Sequence, residues 1–140
     1  MSAKPLPSLE GAAGDLYRAS AAAGRLCVQR CADCCRWRHP PRLWCTACGS
    51  DRAEYAPVSG RGRIFTWTVT HQAFHPAFAA DVPYAVVVTE LEEGVRIVSG
   101  TRDLPLAELA LDLSVEVELE ERAPGVCLPV VRPAHSPRRS

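Results

Sequence analysis

Four cysteines, spaced Cys31-x-x-Cys34 and Cys45-x-x-Cys48, are the residues of this chain best placed to do chemistry. Two thiolates three positions apart on a tight turn can face one ion, and two such turns complete a tetrahedron. The polar, proline-bearing segment from Cys35 to Trp44 is shorter than the usual ribbon template, yet a hairpin fits in it. The expected cofactor is one structural Zn²⁺ held by Cys31, Cys34, Cys45 and Cys48. All four positions are filled by protein, whereas a catalytic zinc keeps a position open for water or substrate. Cys35 directly follows Cys34, where a knuckle commonly needs a glycine such as Gly49. Cys35 therefore stands as an alternative ligand to Cys34, and Cys27 as a weaker one; the mirrored spacing favours Cys34. Cys27, Cys35 and Cys127 otherwise read as small apolar side chains.

Other reactive side chains are scattered. A catalytic base would have to be His71 or His75, oriented by Glu90 or Asp81. No nucleophile elbow, glycine-rich phosphate loop or open metal site accompanies them, so catalysis by this chain alone is not expected. A basic group, Arg30, Arg36, Arg38 and Arg42, lies in or beside the ribbon and is suited to phosphate or carboxylate.

The elements that must position these residues follow from periodicity. The chain has 140 residues and 47% apolar content, enough for one domain core plus a ribbon. No segment has the apolar length to span a membrane, and the first residues lack a secretory pattern, so a reducing cytoplasm is the expected location. Residues 1–25 form a proline-rich leader and an alanine-rich helix from Leu9 to Gly24. Its only sizeable apolar groups are Leu9, Leu16 and Tyr17, so it is expected to lie on a partner as a docking helix, or fray. Residues 26–57 are the ribbon.

Beyond the turn signal Ser59-Gly60-Arg61-Gly62 the period becomes two. Phe65, Trp67 and Val69 alternate with Thr66, Thr68 and Thr70, which puts the aromatics on the inward face. Tyr84 to Leu91 and Val95 to Ser99 are joined by Glu92-Glu93-Gly94 as a hairpin. Leu104 to Leu113 has helical spacing behind Pro105. Ser114 to Glu120 places Val115, Val117 and Leu119 inward and Glu116, Glu118 and Glu120 outward. Val126 to Arg132 is a last strand, with Pro129 marking an edge or a bulge. Three strands, a short helix and two strands is the order of a five-stranded OB barrel. The fold class is therefore mainly β: a rubredoxin-like zinc ribbon, an OB-fold barrel over 58–133, an N-terminal helix and a flexible tail over 134–140.

These motifs, taken in order, resemble a known family. They are Gln29-Arg30-Cys31-x-x-Cys34, Pro40-Pro41-Arg42, Cys45-x-x-Cys48-Gly49-Ser50, Ser59 to Gly62, Pro83-Tyr84 to Val88, Glu90-Leu91, Glu93 to Arg96, Leu128-Pro129 and Arg132 to Ala134. The chain is similar to the acyl-CoA-associated zinc-ribbon/OB-fold proteins, catalogued as domain of unknown function thirty-five, from about Leu26 to Pro133. It departs from them at Cys35, where a glycine is usual. The resemblance implies an auxiliary subunit in lipid metabolism, partnered by a thiolase-like or condensing enzyme and in some cases by a MaoC-type hydratase on a separate chain. It also implies that ribbon and helix dock and that the barrel helps shape the acyl-CoA site.

The loop Gln72 to Pro83 adds to this expectation, because in OB folds such loops border the ligand face. Phe74, His75 and Phe78 in it are candidate partner contacts; equally, the two phenylalanines serve to plug the barrel end. The competing class is a single-stranded nucleic-acid binder with Phe65 and Trp67 as stacking platforms. A formal net charge of zero and the acidic outer row argue against it.

Overall fold

The computed structural model describes residues 4–134. The expected tail beyond Ala134 and the first residues of the leader lie outside them. Helix α1 spans Gly11–Ala23 and ends at Gly24, whose N–H reaches the carbonyls of Ser20 and Ala21. Strands β1 (Cys27–Cys31), β2 (Trp37–Arg38) and β3 (Ala53–Pro57) form an antiparallel sheet with β1 in the middle. Strands β4 (Arg61–Thr70), β5 (Tyr84–Leu91), β6 (Arg96–Thr101), β7 (Ser114–Ala123) and β8 (Val126–Pro133) close a barrel in the order β4-β5-β6-β8-β7. That is the connectivity of an OB-fold. Among the described residues no helix is long and apolar enough to cross a membrane.

The two ends of the barrel are plugged differently. At one end Leu16 of α1, with Leu26 and Val28 of the ribbon, packs on Leu91, Val95 and Ile97. At the other, Leu104 is buried among Ile64, Val87 and Val131, with Leu106, Leu109 and Leu113 packed behind it. Burial of this kind is the main favourable term in folding. The ribbon is therefore built into the barrel's own core. Pro129 sits in β8 opposite Leu119, outside the short parallel pairing of β8 to β6 at Gly100 and Thr101, so its missing N–H breaks no ladder there.

Three expectations are corrected. Helix α1 does not fray, because one face is packed on its own chain: Leu16 is 5% exposed, Ser20 Oγ accepts from the Cys27 backbone N–H at 2.8 Å, and Tyr55 donates its hydroxyl to the Ala12 carbonyl at 2.9 Å. Gly14 lets the leader cross closely, since a Cβ there would meet the Leu9 carbonyl carbon at 2.1 Å. The segment Leu104 to Leu113 is a single 3₁₀ turn, Leu106–Glu108, followed by an irregular run to β7. Asp112, at φ 65, breaks the helical path, and its N–H and that of Leu113 are taken by the Ile64 and Ala110 carbonyls. Phe65 faces outward at 43% exposure, because a register shift between Ile64 and Thr66 turns both Ile64 and Trp67 toward the core.

The outer row of β7 carries Glu116, Glu118 and Glu120 as expected, but it is not a free acidic face. Arg102, Arg122 and Arg132 pair with it.

Candidate metal centre and docking surfaces

The two C-x-x-C turns repeat one geometry. Cys35 N–H donates to the Cys31 carbonyl at 3.0 Å, and Gly49 N–H donates to the Cys45 carbonyl at 2.8 Å. The residue after each pair is left-handed, Cys35 at φ 65 and Gly49 at φ 78. Cys35 thus occupies the backbone position that favours glycine. The sulfurs of Cys31, Cys34, Cys45 and Cys48 all lie within 4.8 Å of one another. Cys31 Sγ is 3.6 Å from Cys48 Sγ, and Cys34 Sγ is 3.6 Å from Cys45 Sγ. A tetrahedron of Zn–S bonds of about 2.3 Å needs sulfurs about 3.8 Å apart, so this donor set fits zinc.

Electrostatics favour a cation at the centre. The Cys34 backbone N–H, 3.4 Å from Cys31 Sγ, holds that thiol down to about 6. The Cys48 and Ala47 backbone N–H groups lower Cys45 in the same way. At Cys48 the Ser50 backbone N–H pulls down, but the neighbouring sulfurs prevail and push it up to about 12. Four sulfurs this close cannot all ionise alone, whereas a bound dication removes the penalty. Asp33 of the first knuckle accepts from Ser50 Oγ and from the Arg52 guanidinium, tying it to the second knuckle. Arg52, then Ser50, hold the Asp33 carboxyl down to about 2.

Cys35 separates the two ligand assignments by experiment. Cys35→Gly should keep full zinc stoichiometry and gain about 1 kcal/mol by relieving the left-handed backbone. Zinc by atomic emission, with a denaturant melt, checks this. A variant that loses its zinc would move the ligand from Cys34 to Cys35.

The basic candidates do not act as one group. Arg30 Nε donates to Glu54 at 2.9 Å, and its guanidinium lies over the Trp37 ring at 5.1 Å. Arg36 and Arg42 have no carboxylate partner among the described residues. Arg38 reaches the Arg42 carbonyl with Nη2 at 3.3 Å, while its buried Nε and Nη1 have no acceptor.

The Gln72 to Pro83 loop divides its three candidates. His75 Nδ1 accepts from the Ala77 backbone N–H at 3.0 Å and caps the 3₁₀ turn Pro76–Phe78. Phe78 packs on Tyr84 at 6.0 Å between ring centroids, under Lys4 Nζ, which pairs with Asp81 at 2.6 Å. Phe74 alone is displayed, at 86% exposure. Glu90 is engaged by Arg63 and Arg96, and the Arg63 hydrogen bond draws its carboxyl below the usual range. No hydrogen bond joins His71 or His75 to Glu90 or Asp81 among the described residues.

Two exposed residues escaped the reading of the sequence: Leu43 at 72% and Trp44 at 61%. The available signal was two large apolar side chains wedged between Arg42 and Cys45 in a segment with no core of its own.

Comparison with known proteins agrees with this architecture. Residues 18–54 match the family model described as "ChsH2, rubredoxin-like zinc ribbon domain", and residues 55–120 match "ChsH2, C-terminal OB-fold domain". A "Probable enoyl-CoA hydratase alpha subunit" of Thermomonospora curvata is 37% identical over 110 residues, covering 79% of this chain and 34% of that protein. A "DUF35 domain-containing scaffold protein" of Methanocaldococcus jannaschii is 32% identical over 88 residues, 62% of each chain. The match thus spans about a third of the first relative and under two thirds of the second. The solved structure "Ltp2-ChsH2(DUF35) aldolase" superposes with a TM-score of 0.81 at 32% identity, covering 92% of this chain and 100% of that one. With both domain models matched in order and that structure covered throughout, this chain belongs to the ChsH2-type zinc-ribbon/OB-fold family, the DUF35 proteins.

Proposed function

We propose that this chain is a non-catalytic auxiliary subunit that docks on a thiolase-fold acyl-CoA enzyme and helps form or cap its acyl-CoA site. The observation that carries the reading is the full-length likeness to a chain of an aldolase structure whose name pairs Ltp2 with ChsH2(DUF35). Relatives named as scaffold and as hydratase alpha subunit support a role in an assembly, with a MaoC-type hydratase as a further partner.

In this reading one structural zinc ion is held by Cys31, Cys34, Cys45 and Cys48 and rigidifies the ribbon; it supplies no Lewis-acid step, since four thiolates fill its shell. Residues 26–57 act as the ribbon and 58–133 as the barrel. Phe74 is the docking residue of its loop, and His75 and Phe78 keep that loop in shape. Arg36, Arg38 and Arg42 meet coenzyme A phosphate or a partner carboxylate. Arg30 is already committed to Glu54. The barrel then walls off the acyl-CoA entrance, and the chemistry belongs to the large subunit.

Affinity capture of the tagged chain, with mass spectrometry of what accompanies it, tests the reading. Stoichiometric recovery of a thiolase-like protein is expected; recovery of the chain alone would overturn it. Phe74→Ala should leave the melting midpoint unchanged, because the ring touches little, and weaken that complex about tenfold. Unchanged affinity would remove Phe74 from the interface.

The nucleic-acid reading gains one observation, the exposure of Phe65. Its ring, however, is covered by the Arg96 guanidinium at 3.6 Å. Salt-dependent binding of single-stranded oligonucleotides at micromolar concentration would favour that reading instead.

A further inference from the structure

Among the described residues most positive charge is neutralised by a paired carboxylate, and most of what is left falls in one segment. Every described arginine outside residues 36–42 is paired with a carboxylate, save Arg25, which donates to the Val58 carbonyl at 2.8 Å. Arg36, Arg38 and Arg42 have no such partner among the described residues. Arg38 Nε and Nη1 and His39 Nδ1 are buried without any hydrogen-bond partner, although buried polar groups are normally satisfied. The surplus charge and the unspent hydrogen bonds fall in the same short segment.

That segment runs directly into Leu43 and Trp44, exposed at 72% and 61%. Their backbone is held from both sides. Gln29 Oε1, on a buried side chain, accepts from the Arg42 N–H at 2.8 Å, and Cys45 N–H donates to the Ser50 carbonyl at 2.9 Å. Cys45 itself belongs to the four-sulfur group. A fixed loop that displays tryptophan beside arginine has the make-up of an interface hot spot: large contact area, low ordering cost, and cations at the rim.

We propose that Leu43 and Trp44 are the anchor of the ribbon, seated in an apolar pocket of the large subunit whose rim is acidic and pairs with Arg36 and Arg42. This rests on the auxiliary-subunit reading and specifies its interface. A phosphate ligand would satisfy the arginines but would leave Leu43 and Trp44 in water; a protein surface with an acidic rim uses both. The charge complementarity is thus between the exposed, uncompensated Arg36 and Arg42 and partner carboxylates.

The test is calorimetric titration of the full, zinc-loaded chain into the purified large subunit identified by affinity capture, at low and at physiological ionic strength. Trp44→Ala should weaken binding at least about thirtyfold, and Leu43→Ala about fivefold. The double change Arg36→Glu with Arg42→Glu should weaken it at low salt and flatten its salt dependence. Zinc content and melting midpoint serve as folding controls, and both should stay at the wild-type value because these side chains are exposed. If Trp44→Ala and the double variant bind with wild-type affinity while Phe74→Ala does not, the anchor proposal falls and the auxiliary-subunit reading stands. If the double variant loses affinity for free coenzyme A but keeps the large subunit, the arginines serve phosphate and the proposal also falls. If the wild-type chain binds no acyl-CoA enzyme, both fall together.

Discussion

Cys45→Ser is expected to abolish stoichiometric zinc binding and to destabilise the barrel together with the ribbon. Cys45 is buried at 4% exposure, and its sulfur lies 3.6 Å from that of Cys34 in the four-sulfur group. A serine hydroxyl does not ionise to replace the thiolate, and three ligands hold the ion far more weakly. The consequence reaches further than the ribbon. Strand β1 ends in Cys31 and carries Val28, fully buried, into the cluster with Leu91, Val95 and Ile97 of the barrel. Without the zinc the knuckles unwind from one end of β1, and the barrel loses part of its plug. A loss of about 4 kcal/mol would lower the melting midpoint by roughly 14 °C. Atomic emission for zinc and a thermal melt followed in the far ultraviolet give the answer, and chelation of the wild-type chain should reproduce it. Retention of one zinc per chain would remove Cys45 from the site. Zinc loss with an unchanged melt would show that ribbon and barrel are energetically separate.

Leu16→Ala should cost about 3 kcal/mol in the isolated chain, within the range for removing a buried leucine side chain. Leu16 is the buried residue of α1 in the barrel-end cluster, beside Leu26, Val28 and Val58, with the half-buried Tyr17 packed against the same cluster. The helix has few other apolar groups, so the deletion cannot be shared out among neighbours. Urea unfolding should show a lower midpoint at nearly unchanged slope. A change below about 0.5 kcal/mol, the size of an ordinary surface effect, would return α1 to the role of a loosely held docking helix.

The parts of the fold that were legible in the sequence are those encoded by local spacing. The zinc knuckles show in the two C-x-x-C pairs, and β7 shows in the alternation of Val115, Val117 and Leu119 with glutamates. The run of three strands, a connecting segment and two strands shows in the turn signal before β4, the Glu92-Glu93-Gly94 hairpin between β5 and β6, and Pro105 ahead of the leucine run. What was hidden depends on distant partners. Phe65, Trp67 and Val69 alternate perfectly, yet the register shift at Ile64/Thr66 belongs to the pairing with β5 and leaves no mark in β4 alone. The leucines from Leu104 to Leu113 have helical spacing because they face one hydrophobic plug, which a 3₁₀ turn and an irregular run satisfy equally well. Strand β3 has no pattern of its own and exists through its register with β1. The helix looked too poor in apolar groups to bury itself, since one well-placed leucine and the Ser20 and Tyr55 hydrogen bonds do not register in composition. In the site, the commitment of Arg30 to Glu54, 24 residues away, is invisible to spacing. So is the display of Trp44.

The central claim is that this chain completes an acyl-CoA enzyme without performing its chemistry. Its most direct test is turnover of acyl-CoA by the purified large subunit alone, by this chain alone, and by the two recombined at equal concentration. The account predicts substantial activity only on recombination, with zinc-depleted chain failing to restore it. Turnover by this chain alone, or a large subunit already fully active without it, would contradict the account.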